Sequence, residues 1–232
     1  MRISNPWLGA AVLPVIAFIS ALIADVDPSR WSSLSAPMFR PVLADALLLE
    51  VLLLLVAAPL AGVALRGQPA RLLLAAAVTT GVSALGLLIG WHALPGVFTL
   101  VGASHASLFS AALLLAALGA WAASRWRDPL DAAAISIGAI LIVTIGPLLA
   151  GPLTAAASAR VVNALLAINP LVSTAAGADI DVLRMDVLYQ LSPIAHRQFD
   201  YPSWPISAGL FLACAGAVLL RTARRHQPAS TT

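Results

Sequence analysis

Few side chains of this sequence could take part in chemistry, and most of them lie near the ends of long apolar runs. Asp45 and Glu50 are the exception, because both lie within one apolar run, five residues apart. At a rise of about 1.5 Å per residue, Asp45 is close enough to a helix end to reach water, and Glu50 lies about two turns deeper. Glu50 is either a functional acid or a protonated or arginine-paired structural acid that faces the interior of a helix bundle.

The histidines and the cysteine do not form a metal-binding pattern. His92 and His105 have no Glu, Asp or Cys at helical spacing, whereas a metal site usually needs three or four ligands. We therefore expect His105, which has serines around it, to be capped or water-facing and not to belong to a metal site or a proton relay. The single cysteine, Cys214, permits no disulfide within the chain and no thiolate cluster. No metal or cofactor site is predicted.

Motifs of soluble catalytic sites are also missing from the sequence. It contains no GxxxxGK[ST], GxSxG, HExxH or CxxCH run. The chain is therefore predicted not to hydrolyse ATP through a P-loop, and no residue is predicted to be catalytic. An intramembrane enzyme or a sensor stays an alternative, because a Ser–His–Asp site is defined by spatial arrangement and not by sequence order.

Composition places the chain in the membrane. Of its 232 residues 60% are hydrophobic and 10% are charged, whereas roughly 25% of the residues of soluble domains are charged. The expected fold is an all-α integral membrane protein in the lipid bilayer. The net charge is only +3 and every basic residue is arginine, so we expect arginines in loops and no nucleic-acid partner.

Six apolar runs are about long enough to cross a hydrocarbon core of roughly 30 Å. They cover approximately residues 7–24, 42–65, 72–91, 103–123, 132–149 and 205–220. The first run is expected to be a retained helix and not a cleaved signal peptide, since Pro14 splits it and no small-residue cleavage site follows. Gly81, Gly86 and Gly90 are expected to give the third span a surface for close helix packing. No internal repeat divides the chain, so residues 1–232 are expected to form a single membrane domain.

The distribution of arginine predicts the orientation of these spans. The turns Arg66 to Arg71 and Arg125 to Asp131 are rich in arginine, which by the positive-inside rule makes them cytoplasmic, together with both termini. Arginines on the proposed inner side number eight: Arg2, Arg66, Arg71, Arg125, Arg127, Arg221, Arg224 and Arg225. The other five belong to the proposed outer side. The expected location is the cell membrane, which for a bacterium is the inner membrane.

The polar segment between the last two spans, residues 153–204, is expected to form an ordered outer cap. It mixes large apolar and aromatic side chains with its charges, unlike a disordered linker. Ala155 to Ile168 is predicted to form an amphipathic helix that Asn169-Pro170 interrupts, and Asp179 to Asp186 shows a helical spacing of charges. The cap either only seals the bundle or acts as a gate or docking surface. Its candidate contact residues are Arg184, His196, Arg197 and Asp200.

Several loose motifs give the chain a resemblance to a known family. The second span ends in AAPLAG, the fifth ends in IGPLLAGPL, and the segment after it contains NPLVSTAAGAD, LYQLSP and YPSW. From about Ala58 onward this order of elements resembles the permease, or membrane subunit, of ABC-2 type transporters. The resemblance implies a six-helix permease that pairs with a second permease subunit or as a homodimer and couples to a separate cytoplasmic ATP-binding subunit. It also implies re-entrant or interfacial helices between the last two spans.

The sequence departs from this family between the second and third spans. Family members usually carry an amphipathic coupling helix there, which docks on the ATPase, whereas this chain has only RGQPAR. So short a turn offers far less surface than the roughly 1,200 Å² of a standard interface. Docking would then fall to a terminus or to the turn that contains Arg125, Arg127 and Asp128. The alternative function is a non-transporting, permease-like structural or assembly subunit of a larger membrane complex.

Overall fold

The structure is a computed structural model, and it describes residues 36–92, 95–149, 157–181 and 203–225. Seven helices account for most of these ranges, which contain no strand. The helices are α1 (Ala36–Ala64), α2 (Pro69–Trp91), α3 (Val97–Arg125), α4 (Pro129–Leu149), α5 (Ala159–Ala167), α6 (Pro170–Gly177) and α7 (Trp204–Arg225). An all-helical fold, as the composition predicts, is therefore confirmed for the described part of the chain.

Five of these helices are long and apolar enough to cross a membrane. The candidate spans are Leu43–Ala64, Pro69–Trp91, Val97–Arg125, Pro129–Leu148 and Trp204–Ala223. They coincide with the second to sixth predicted spans, which identifies a multi-pass membrane protein. The first predicted span, residues 7–24, lies outside the described residues, and the total of six spans stays a prediction.

Two helices begin about six residues earlier than the sequence predicts. α1 begins at Ala36, before the predicted start of the second span at residue 42. α3 begins at Val97 and not near residue 103, because Gly96, with a left-handed φ of 78°, already ends the preceding turn. The residues that follow Gly96 are apolar enough to continue the span. His105 therefore lies about two turns inside α3.

The central element of the bundle is α3. It contacts α1, α2, α4, α6 and α7, and most of its side chains are buried. The other long helices keep one apolar face exposed, as expected of helices that meet lipid or another subunit. On α2 this face includes Leu73, Leu74, Val78, Val82, Leu85 and Ile89.

α1 and α3 cross in backbone contact through two glycines. A Cβ on Gly62 would overlap the carbonyl of Ala116, and a Cβ on Gly119 would overlap the carbonyl of Pro59. Gly81 and Gly86 of α2 do not form such a contact within the described part of the chain: a Cβ on either would meet no atom within 4 Å. Glycine spacing shows that one face of a helix carries only small residues, but it does not show where the neighbouring helix lies.

α5 and α6 form a bent pair, with an angle of 78° between them. The predicted interruption at Asn169-Pro170 is confirmed: the side chain of Asn169 accepts hydrogen bonds from the first amides of α6, and its Nδ2 donates to the carbonyl of Thr144 in α4 at 2.7 Å. Nearly all of α6 is buried. The segment therefore enters the bundle, where we had expected a cap over it.

The chain leaves α6 through a tight turn and not through a further helix. Ala178 and Asp179 follow Gly177, and Asp179 has a φ of 56°, a left-handed conformation that Asp tolerates better than most residues. The amide of Ile180 donates to the carbonyl of Ala175 at 3.0 Å, which closes the turn. Residues 179–181, the start of the segment whose charges have helical spacing, are therefore not helical, and residues 182–202 lie outside the described residues.

The bundle has two chemically different ends. α1 and α3 begin, and α2 ends, at the end where α6 enters, which we call the re-entrant end. At the opposite end, which we call the arginine end, α1, α3 and α7 finish and the two short turns lie. Arginines exposed there are Arg66, Arg71, Arg125, Arg127 and Arg221.

Candidate functional site: a buried Glu–Ser–His cluster

α1 directs Glu50 into the bundle. The side chain is only 6% exposed and lies between two apolar clusters, one containing Leu47 and the other Val51. The expectation that Glu50 faces the bundle interior and not lipid is confirmed. The partners that the structure gives this carboxyl group are a serine and a histidine, and not an arginine.

Ser83 of α2 and His105 of α3 face the two carboxyl oxygens of Glu50. The Ser83 hydroxyl donates to Oε1, and Nε2 of His105 lies 3.3 Å from Oε2. Three different helices therefore meet at this point. At 1.5 Å per residue, Ser83 and His105 each lie about 12 Å from the ends of α2 and α3 at the re-entrant end, and Glu50 lies about 10 Å from Leu43, where the candidate span within α1 begins.

Two contacts fix the orientation of the His105 ring. Its Nδ1 lies 2.9 Å from the carbonyl oxygen of Val101, one turn earlier in α3, and 3.3 Å from the hydroxyl of Ser104. A carbonyl oxygen only accepts hydrogen bonds, so the short contact with Val101 requires a proton on Nδ1. Nε2 is then the atom that is directed at Glu50.

Apolar layers separate this cluster from both ends of the bundle. Toward the re-entrant end lie Leu43, Ala46, Leu47, Leu87, Trp91, Val97, Val101 and Ala178. Toward the arginine end the core continues with residues such as Val51, Leu54, Leu55, Leu108 and Ala112. The Glu50 and His105 side chains are 6% and 5% exposed, so the cluster is closed to bulk water in this conformation.

The re-entrant helix packs directly on the turn of α3 that precedes His105. A Cβ on Gly177 would lie 2.9 Å from the backbone of Ala103 and Ser104. No side chain separates the two backbones at this point. A displacement of α6 would therefore act on the turn that holds the imidazole.

The other predicted site residues are not brought to Glu50. Asp45 is exposed near the start of α1, as its position in the sequence predicts. Arg125, Arg127 and Asp128 lie in the exposed turn between α3 and α4, where the Asp128 carboxylate accepts a hydrogen bond of 2.8 Å from the amide of Leu130. This places them at the arginine end, far from the buried cluster.

The remaining candidates lie outside the described residues. These are the predicted contact residues of the cap: Arg184, His196, Arg197 and Asp200.

The expectation that His105 faces water is wrong, since its side chain is only 5% exposed. No sequence pattern singled out Ser83. A span that begins near residue 103 would place His105 at the membrane surface. The earlier start of α3 places it as deep as Glu50. Equal depth on neighbouring helices is the signal that would have paired Glu50 with His105. That depth depends on where α3 begins, and the sequence placed its start six residues too late.

Neither the cluster nor the groove between α3 and α4 offers a conventional cofactor site. Among the described residues, no three His, Cys, Asp or Glu side chains are close enough together to hold a metal ion. A cavity of about 200 Å³ lies between α3 and α4 and extends to the bend at Ile168 and Pro170. Its lining is apolar except for Ser136 and Thr144, so it suits hydrocarbon and not a polar cofactor.

The similarity of this chain to known proteins was tested in three ways. No protein-family model matches it, and searches of curated proteins and of solved structures find no match. What is shown about the chain is therefore its multi-pass helical architecture and the buried cluster of Glu50, Ser83 and His105.

Proposed function

We propose that this chain is the permease subunit of an ABC-2 type transporter and works with a separate cytoplasmic ATP-binding subunit. The observation that carries the proposal is the bent pair α5 and α6, which precedes the last span. The resemblance of the sequence to the ABC-2 permeases implies re-entrant helices at this place in the chain. α6 has the length and the burial that such an element needs.

Membrane physics supports a transport role for α6. Eight residues of helix extend only about 12 Å, which is too short to cross the hydrocarbon core. Helix ends at membrane depth leave backbone groups without partners unless protein or a water-filled cavity surrounds them. Broken helices of this kind commonly border the substrate path in transporters. Here the side chain of Asn169 satisfies the first amides of α6.

The cytoplasmic partner would dock at the arginine end. The turn between α1 and α2 is too small for this task, and Arg66 within it already donates to the carbonyl of Ala123 at 3.1 Å. The turn between α3 and α4 exposes Arg125 and Arg127, and no hydrogen bond of this kind joins them to the other described residues. We infer that these two arginines contact an acidic surface of the ATP-binding subunit, with both chain termini on the same side.

Purification of the tagged protein from its native membrane in a mild detergent tests this proposal. We expect an ATP-binding protein to accompany it, and the double variant Arg125→Glu, Arg127→Glu to lose that protein. Arg160→Glu is the matched control, because Arg160 is also exposed but lies on α5, outside the α3–α4 turn. Retention by the double variant would exclude the α3–α4 turn as the docking site.

A second candidate function has one observation in its favour. The reduced turn between α1 and α2 leaves no coupling helix, as expected of a permease-like subunit that assembles with other membrane proteins and does not transport. If the purified protein retains other membrane subunits but no ATP-binding protein, the permease proposal falls and this alternative stands. An additional permease subunit or a second copy of this chain is expected under the transport proposal, packed on an exposed apolar face such as that of α2.

Orientation in the membrane can be tested separately. Gln68 in the α1–α2 turn and Ser203 just before α7 are both exposed. In a Cys214→Ser background, we expect an impermeant thiol reagent to label Ser203→Cys but not Gln68→Cys in intact cells. Equal or reversed labelling would contradict a cytoplasmic arginine end.

A further inference from the structure

We propose that Glu50 and His105 together bind one proton, in a site enclosed within the membrane-spanning bundle. The proposal concerns a binding site in the permease-like fold and does not depend on an ATP-binding partner. It rests on the hydrogen-bond inventory of the two side chains, on their burial, and on the charges of the surrounding helices.

The hydrogen-bond inventory requires one proton between the two residues. With a proton on Nδ1, a neutral His105 has only a lone pair on Nε2, and an ionised Glu50 has only lone pairs on Oε2. The two atoms are 3.3 Å apart, and neither has a hydrogen-bond partner elsewhere in the described structure. A proton on either atom turns this contact between two acceptors into an attraction.

The net charge of the Glu50–His105 pair also favours a single shared proton. Without the shared proton the pair has a net charge of −1, and with a second proton it has a net charge of +1. Either charge would be buried among apolar side chains, which is strongly unfavourable. One proton leaves the pair neutral, as imidazolium with carboxylate or as imidazole with carboxylic acid. Ser83 donates to Oε1 in both forms, so it orients the carboxyl group without changing the count.

No other titratable group whose side chain the structure describes faces the pair. Asp45 on α1 and His92 after α2 are exposed, and Arg71 and Arg125 lie at the opposite ends of α2 and α3. The nearest charged residues along the chain from α6 are Asp179 and Asp181, both exposed in the turn that follows it. α4 and α7 are charged only at the arginine end: Asp131 and Arg221 are exposed there, and Arg224 and Arg225 end α7.

The sequence makes this site unusually easy to observe. Glu50 is the only glutamate in the chain, and His105 is one of four histidines. Cell-free synthesis with carboxyl ¹³C-glutamate and ring ¹⁵N-histidine therefore labels one carboxyl group and four rings. Replacing His92, His196 and His226 by glutamine leaves His105 as the single labelled ring.

Solid-state NMR of this protein in lipid bilayers counts the protons. At neutral pH we expect one proton between Oε2 and Nε2, and a proton on Nδ1. Carboxylate with a bare Nε2, or carboxylic acid with a protonated Nε2, overturns the proposal. A variant that keeps only His92 is the control, because its Nδ1 has the same kind of carbonyl contact, 3.0 Å from Ile89, but is exposed. Its ring signals should not change when Glu50 is replaced by glutamine.

Glu50→Gln provides a second measurement. An amide cannot balance a buried imidazolium, so we expect His105 to be neutral in this variant. An imidazolium signal would show that the ring charges without Glu50 and would overturn the proposal. If the triple histidine replacement does not fold, the difference between wild type and His105→Gln assigns the same ring signals.

Discussion

The helices α1 and α3 meet in two chemically different regions. Near the arginine end, Gly62 and Gly119 bring the two backbones into direct contact, and the surroundings are apolar. Nearer the re-entrant end, the same helices meet through Glu50 and His105, with α2 adding Ser83. Contact in the first region requires that the glycines have no side chain, whereas contact in the second is made by polar side-chain atoms.

This difference follows from how helices associate in membranes. Where no water can be displaced, association relies on close packing of small residues and on hydrogen bonds between polar side chains. The glycine crossing uses the first means and the Glu–Ser–His cluster uses the second. The crossing is intolerant of added volume, whereas the cluster is sensitive to the loss of single polar groups and of its proton.

The largest effect is expected at the glycine crossing. Gly119→Leu places a branched side chain against the backbone of Pro59, so we expect a loss of at least about 3 kcal/mol in the free energy of unfolding. Gly81→Leu is the matched control on an open helix face and should leave stability unchanged or improved. Denaturation by SDS in mixed micelles, followed by tryptophan fluorescence, measures both. Equal stability of the two variants would contradict the backbone contact.

The polar region should show a smaller but specific coupling. In a double-mutant cycle with Glu50→Gln and His105→Gln, we expect a coupling energy of about 1–2 kcal/mol, toward the upper end of that found for polar pairs in membranes. The cycle that pairs Asp45→Asn with His105→Gln is the control, because Asp45 is exposed and lies five residues before Glu50 in α1. No coupling in the first cycle would mean that the two side chains do not interact.

The contact between α6 and α3 combines features of both regions, since a glycine lies against the turn before the histidine. For Gly177→Ala we expect a loss of about 1 kcal/mol, because a Cβ would be 2.9 Å from the α3 backbone. This is smaller than the effect of a bulky residue at Gly119. The ring signals of His105 should shift in the same variant. Unchanged stability and unchanged His105 ring signals would show that α6 does not act on the buried cluster.

The smallest effect is expected at Ser83. Ser83→Ala removes one hydrogen bond to Glu50 but leaves the proton count of the pair unchanged, so we expect a loss of about 0.6 kcal/mol. Thr80→Val is the comparison, because the Thr80 hydroxyl donates to the carbonyl of Ala76 in its own helix at 2.9 Å. A larger loss at Thr80 than at Ser83 would show that Ser83 contributes little between helices.

Hydropathy and proline placement by themselves determined much of the architecture. Apolar runs of sufficient length have only one stable backbone in lipid, the helix, so five spans were located correctly. Asn169-Pro170 predicted the interruption of the re-entrant pair, since proline restricts the residue before it and asparagine caps the helix that follows. Burial of Glu50 was also predictable, because a carboxylate at that depth is strongly disfavoured in hydrocarbon.

Only the tertiary structure decided what Glu50 meets. Ser83 and His105 are 33 and 55 residues away from it in the chain, and no local pattern specifies which face of α2 or α3 turns toward α1. The helix crossing at Gly62 and Gly119 brings α1 and α3 close together and so helps to set that rotation. Rotation of a helix about its axis depends on the shapes of its neighbours, whereas hydropathy specifies only that the helix is in the membrane. The buried cluster is therefore a property of the packed bundle, although each of its residues was visible in the sequence.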